Sequence, residues 1–256
     1  MTVRDNPRLN VKAADWAQRL ASRVNPADAA KISQRMLDTI DDVSSNRWDA
    51  ATRRAAALPG DIRPEKIKSL TDSFSRELGA AGAAAGAAAI APTVGTAATI
   101  MASTAELAWF TARAGDLILT IAATHGRPEP TVDERRAWVL AVLIYGSSAK
   151  DGITRAINEA STGVSPIVDR RVPLATLQIA NRVMSRSLFR RYGSRRGLIA
   201  VGRALPIGIG AFIGGAANYA AIRALARNAD QFFARLPYSA IDVDSTDLTG
   251  RQLGPL

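Results

Sequence analysis

Apolar residues recur along most of this chain at helical spacing, and no stretch shows clean two-residue alternation with β-branched enrichment. Ala13, Trp16, Leu20 and Val24 trace one helical face. Asn25-Pro26 then reads as a helix start, with Asn as the cap and Pro at the first position, and Ile32, Met36, Ile40 and Val43 continue that helix. A short amphipathic piece from Trp48 to Leu58 ends at Pro59-Gly60, and Pro64 opens a helix marked by Ile67, Leu70, Phe74 and Leu78. The next helix spans Thr96 to Thr124 and stops at His125-Gly126. Thr131-x-x-Glu134 is a capping box that launches a helix through Trp138, Leu140, Leu143 and Ile144 toward Ile157. Leu174, Leu177, Met184 and Leu188 mark the buried side of a helix that carries Arg182, Arg186 and Arg190 on its other side and ends at Gly193. Pro206 sits near the start of a last long helix, which fades around Phe233 to Arg235. The pattern predicts an all-α, multi-helix bundle with two central Gly/Ala-rich apolar helices and no sheet.

Those two apolar helices also set the membrane question. Leu78 to Ala105 is 28 residues without a charge, but Pro92 and Gly95 divide it. Its longer half, Leu78 to Ala91, reaches only about 20 Å against a hydrocarbon core of about 30 Å. The second run, Ile207 to Ile222, holds four glycines and Asn218 and is also too short. Both are expected as buried helices. Gly82-x-x-x-Gly86 and Gly210-x-x-x-Gly214 place small residues on one face of each, so the backbones can approach closely. The same glycines, with Asn218, could instead leave a smooth lining for an acyl chain or another apolar ligand.

Charge sharpens the picture more than composition does. With 256 residues, 47% of them hydrophobic, the chain can bury a large core. Between Asp169 and Asp230 it runs 60 residues without an acid or a lysine while carrying eleven arginines. The rest holds 22 basic against 23 acidic residues, so this one window supplies the whole positive balance of +10. Arg182, Arg186, Arg190, Arg191, Arg195 and Arg196 cluster around one helix end and are the candidate anionic head-group site. Arginine suits phosphate because its planar fork of donors can bind two oxygens at once. Nucleic acid is the alternative phosphate-bearing partner, disfavoured because interleaved aromatics and the usual signatures are missing from the window.

Catalytic chemistry finds little foothold. The chain has no cysteine and one histidine, which excludes disulfides, thiolate zinc sites and His-based metal sites. His125 lies at a helix end and reads as a C-terminal cap. Neither a Gly-Lys-Ser/Thr phosphate loop nor a strand ahead of Gly208-x-Gly210 is present. No cofactor, metal or reaction is implied. Glu106, Trp109, Arg113, Asp116 and Thr120 fall within an arc of about 80° on one helix. They read either as a solvated stripe or as an internal charged site built on Glu106, Arg113 and Asp116.

Several of these features resemble the EcsC family of bacterial helical proteins. They are Pro92-Thr93-Val94-Gly95 before a long helix, Glu106 early in it, and the aliphatic run from Ile121 to His125-Gly126. The stronger match is Leu205-Pro206-Ile207-Gly208-x-Gly210 with Gly214-Gly215-Ala216-Ala217-Asn218 and the trailing Arg223, Arg227 and Phe232. His125 stands where family members more often show tyrosine. The resemblance covers about Ile62 to Phe233 and implies an all-helical fold with a loose link to export and membrane processes. It implies no reaction. The expected organisation is an N-terminal helical segment (1–60), an EcsC-like helical domain (61–236) and a poorly ordered acidic tail (237–256). The N-terminus lacks an apolar leader, so a cytoplasmic protein is expected, peripherally associated with anionic membrane or holding a lipid-like ligand. A nucleic-acid backbone binder and an accessory of a membrane transport or export system are the alternatives.

Overall fold

The computed structural model describes residues 26–88, 96–127, 129–161, 171–192, 214–236 and 239–241. Expectations for 1–25, for 193–213 with Arg195, Arg196 and Gly210, and for the tail beyond 241 lie outside the described residues. Helices carry 89% of what is described. They are α1 (Pro26–Asn46), α2 (Trp48–Ala56), α3 (Arg63–Ala88), α4 (Thr96–Thr124), α5 (Val132–Tyr145), α6 (Ala149–Ser161), α7 (Leu174–Tyr192) and α8 (Gly214–Arg235). The fold is an all-α multi-helix bundle.

Local chemistry explains most of the boundaries. Pro26 opens α1, as its fixed φ and missing N–H favour. Thr131 Oγ1 accepts from the Glu134 backbone N–H while the Glu134 carboxylate accepts from the Thr131 N–H, completing the capping box of α5. Gly126 sits at φ +68° just past α4, and the Arg127 and Gly126 N–H groups return to the carbonyls of Ala122 and Ala123. That is a Schellman ending, which needs a left-handed residue at this place.

The helix expected to run from Glu134 toward Ile157 is broken in the structure. Gly146 takes φ +55°, a 3-10 turn follows over Gly146–Ser148, and α6 starts at Ala149. A left-handed residue ends a helix as firmly as proline does, and the apolar periodicity on either side does not reveal it.

The core is centred on α4 and α5. From Ala137 to Ile144 every residue of α5 is buried, the mark of a helix enclosed on all sides. On α4, Leu117, Ile118, Leu119 and Ile121 are fully buried. Trp48 of α2 meets Trp138 edge to face at 6.3 Å, Trp138 meets Phe233 at 5.3 Å, and Phe233 meets Phe232 at 5.0 Å, so aromatic rings join α2, α5 and α8. Burial of each such ring stabilises by roughly 1.5–3 kcal/mol, with about 0.5–1.5 kcal/mol more for a good edge-to-face pair. Residues on both sides of position 60 share this core: Ile32, Met36, Ile40 and Val43 of α1 belong to the same apolar cluster as α4 and α5. A Cβ on Gly115 would lie 2.7 Å from Val43 Cγ1, so α1 and α4 approach as closely as they do because that position has no side chain.

The two helices with Gly/Ala-rich ends, α3 and α8, make the most extensive helix pair among the described residues. Asp72 pairs with Arg223, and the Arg63 charge acts on His125, which holds Asp230, so the two run antiparallel. Among the described residues no helix is long and apolar enough to cross a membrane. Among the described residues one short strand pairing departs from the expectation of no sheet. Arg171–Pro173 (β1) pairs in parallel with Ser239–Ile241 (β2), so three residues assigned to the tail pack beside the entry to α7.

Candidate functional site

Helix α7 carries the arginine cluster, and two polar side chains fix its rotation. Asn181 Nδ2 donates to the Asp133 carbonyl at 2.9 Å and to its Oδ1 at 3.2 Å, while Gln178 Nε2 donates to Asp133 Oδ2 at 3.1 Å. Leu177, Ala180, Met184 and Leu188 are thereby buried toward α5, α6 and α1. Arg182, Arg186 and Arg190 are exposed on the opposite side. Among the described residues Arg182 and Arg186 have no carboxylate within 4 Å, as a window without acids dictates locally. Arg191 lies in the last turn of α7, and its side chain is outside what the structure describes.

The same face holds a residue the sequence analysis missed. Phe189 is 38% exposed, and at 100° per residue it falls with Arg182, Arg186 and Arg190 in an arc of about 100°. The expectation that aromatics are not interleaved with these arginines is therefore corrected. A helical projection of 174–192 would have found it, because Phe189 breaks the apolar side defined by Met184 and Leu188.

The α4 stripe is internal rather than solvated over most of its length. Asp116 and Thr120 are buried, and the Arg113 side chain is only 17% exposed. Arg113 Nη1 donates to Asp116 Oδ2 at 2.8 Å, Nη2 pairs with Glu77 of α3, and the guanidinium lies 4.6 Å from the centre of the Phe74 ring. Arg47 Nη1 adds a second, longer contact to Asp116 at 3.6 Å. Trp109 at the exposed end is 41% accessible, and the Glu106 side chain lies outside what the structure describes. The structure thus joins Arg113 and Asp116 and adds Glu77 and Arg47, two partners distant in sequence. Arg113 is held by protein carboxylates and an aromatic face, which is a structural arrangement.

His125 does not cap its own helix through its ring. Its side chain is 4% exposed, Nε2 lies 2.8 Å from Asp230 Oδ1 on α8, and the ring packs 6.0 Å from Phe233. Burial pushes the imidazole below its usual value, the bond to Asp230 opposes that shift, and the Arg63 charge adds to the lowering. The neighbouring Arg127 caps α8 instead, donating from Nη2 to the Phe233 carbonyl at 2.6 Å and the Leu236 carbonyl at 3.3 Å. The His125–Asp230 contact ties α4 to α8.

The proposed apolar lining is split. Gly82 and Gly86 lie on the last turns of α3 and Gly214 opens α8, but Gly210 and the side chain of Asn218 are outside what the structure describes. The described residues form no group of metal-ligating side chains. An open cleft of about 420 Å³ is lined by Trp48 together with two acids, Asp49 and Glu129, and two arginines, Arg53 and Arg127.

No family model matches the chain, and neither the curated proteins nor the solved structures contain a significant match to it. The likeness to the EcsC family accordingly rests on the residues quoted for it.

Proposed function

We propose that this chain is a non-enzymatic helical protein that associates peripherally with an anionic membrane through the exposed face of α7. The observation that carries the reading is the combination on one face of Arg182, Arg186 and Arg190 with the half-exposed Phe189, in a segment without acids. A basic face with an aromatic residue among its cations suits the headgroup boundary, where the cations meet lipid phosphates and the ring enters the acyl edge. The resemblance to a family linked to membrane processes agrees with this, and the reading takes the protein to be cytoplasmic, at the anionic leaflet. The alternative is an apolar, lipid-like ligand held between the Gly-rich helices α3 and α8.

Phe189 also favours a second reading, since an exposed ring among arginines can stack on a base. Flotation separates the two. The protein should float with vesicles containing phosphatidylglycerol, bind phosphatidylcholine vesicles far less, and release as salt rises. Binding to single-stranded or duplex DNA, with none to the anionic vesicles at the same salt, would replace the membrane reading. A role as an accessory of a membrane transporter would appear as binding that anionic lipid alone does not reproduce.

A further inference from the structure

A second basic site lies on α3 and α8, which among the described residues make no extensive contact with α7. An open cleft of about 440 Å³ is lined by Lys68, Asp72, Arg76, Tyr219 and Arg223. Three cations surround one carboxylate. Arg223 is held in place: its Nη1 donates to Asp72 Oδ1 at 2.8 Å and to the Tyr219 hydroxyl at 2.8 Å. Those two bonds use both hydrogens of Nη1, so Nε and Nη2 keep their donors. Lys68 Nζ donates to Asp72 Oδ2 at 3.0 Å and retains two more hydrogens. Arg76 spends Nε on the Asp72 carbonyl at 3.2 Å, and neither of its Nη groups has a carboxylate within reach among the described residues.

We infer that this cleft binds a phosphate monoester, with Arg76, Arg223 and Lys68 as its donors and the exposed Tyr219 ring against the esterified group. A dianionic phosphate offers several acceptors where the cleft supplies the donors, and the two guanidinium forks match its oxygens. Asp72 orients Arg223 and Lys68 and also competes with the ligand for them. That double role gives the site a signature that a plain surface ion-pair ladder lacks: removal of the carboxylate should strengthen anion binding. The inference does not depend on the α7 reading.

The test uses the full chain and isothermal titration with glycerol 3-phosphate and with dihexanoyl phosphatidic acid below its micellar concentration. Arg76→Gln should weaken binding about tenfold, the scale of one lost charge-assisted contact. Asp72→Asn should tighten it several-fold, and Arg182→Gln/Arg186→Gln/Arg190→Gln should leave it unchanged while lowering vesicle flotation. Equal affinity for the two probes assigns the site to free phosphate esters, and preference for the lipid assigns it to a headgroup. Absence of saturable binding, or the same Kd in the wild type and Arg76→Gln, overturns the inference. Loss of probe binding in the α7 variant overturns it as well, by moving the site to α7. Should Asp72→Asn prove unstable by circular dichroism, Arg76→Gln decides alone, since Arg76 holds only a carbonyl of its own helix.

Discussion

Arg113 on α4 and Arg186 on α7 carry the same guanidinium on long helices, and their surroundings give them different work. Arg113 is mostly enclosed, bonded to Asp116 and Glu77 and stacked on Phe74. Arg186 is exposed in a segment with no acid to meet it. The first charge is consumed by the fold and the second remains available to an outside anion. Membership of the acid-free window does not by itself decide which applies: Arg223 belongs to that window and is paired with Asp72 from α3.

The largest effect should come from breaking the enclosed set. Arg113→Ala leaves Asp116, 7% exposed, with only the longer contact to Arg47 at 3.6 Å. A buried pair that loses one partner typically costs about 3–5 kcal/mol, here toward the lower end because Glu77 is 41% exposed. Urea denaturation checks this. A loss no larger than that of a surface substitution would mean the α4 stripe is solvated after all.

The α7 face should respond in the opposite way. Arg182→Gln/Arg186→Gln/Arg190→Gln should alter stability by less than about 0.5 kcal/mol per position. At about 1 kcal/mol for each cation at an anionic surface, it should lower vesicle partitioning by about 3 kcal/mol, or roughly a hundredfold. Unchanged flotation in that variant would remove the contrast between the two helices. Phe189→Ala is the finer test on the same face. Full burial of such a ring is worth about 1.5–3 kcal/mol, and the ring is only 38% exposed, so the loss should be about 1 kcal/mol of partitioning. Equal loss toward phosphatidylcholine vesicles would separate the ring's contribution from that of the arginines.

What the chain reveals before folding follows the same division between local and distant partners. The ends of α4, the capping box at Thr131 and the Arg113–Asp116 pair were legible because each is encoded within a few residues. The Gly146 break was hidden by unbroken apolar spacing across it. Glu77 beside Arg113, Asp72 beside Arg223 and Asp230 beside His125 could not be read, since each joins helices far apart in sequence and depends on their packing. Of the candidate site, the arginines of α7 were visible through their i, i+4 spacing. Phe189 did not show in the spacing of Leu174, Leu177, Met184 and Leu188, because it lies on the arginine side of the helical wheel.

The smallest predicted effect uses pH to separate inside from outside. His125 is enclosed between α4 and α8, with its folded-state value held below the ordinary 6.5, mainly by burial. As pH falls through 6.5, the unfolded chain takes up this proton before the folded one does, so folding loses stability. The contribution is fully present above the unfolded value and is lost progressively down to the folded one. Asp230 restrains the shift by accepting from the ring, which keeps the effect modest. Arginine does not titrate in this range, and phosphatidylglycerol stays ionised, so vesicle binding by folded protein should be flat over the same interval. Urea midpoints of the wild type should therefore decline from neutral pH into the acid range, with a shallower decline in His125→Gln, which keeps a donor for Asp230 but cannot take up a proton. Identical slopes for the two proteins would place the proton uptake elsewhere, and a parallel decline in flotation would show that the α7 face is coupled to the α4–α8 contact instead of standing apart from it.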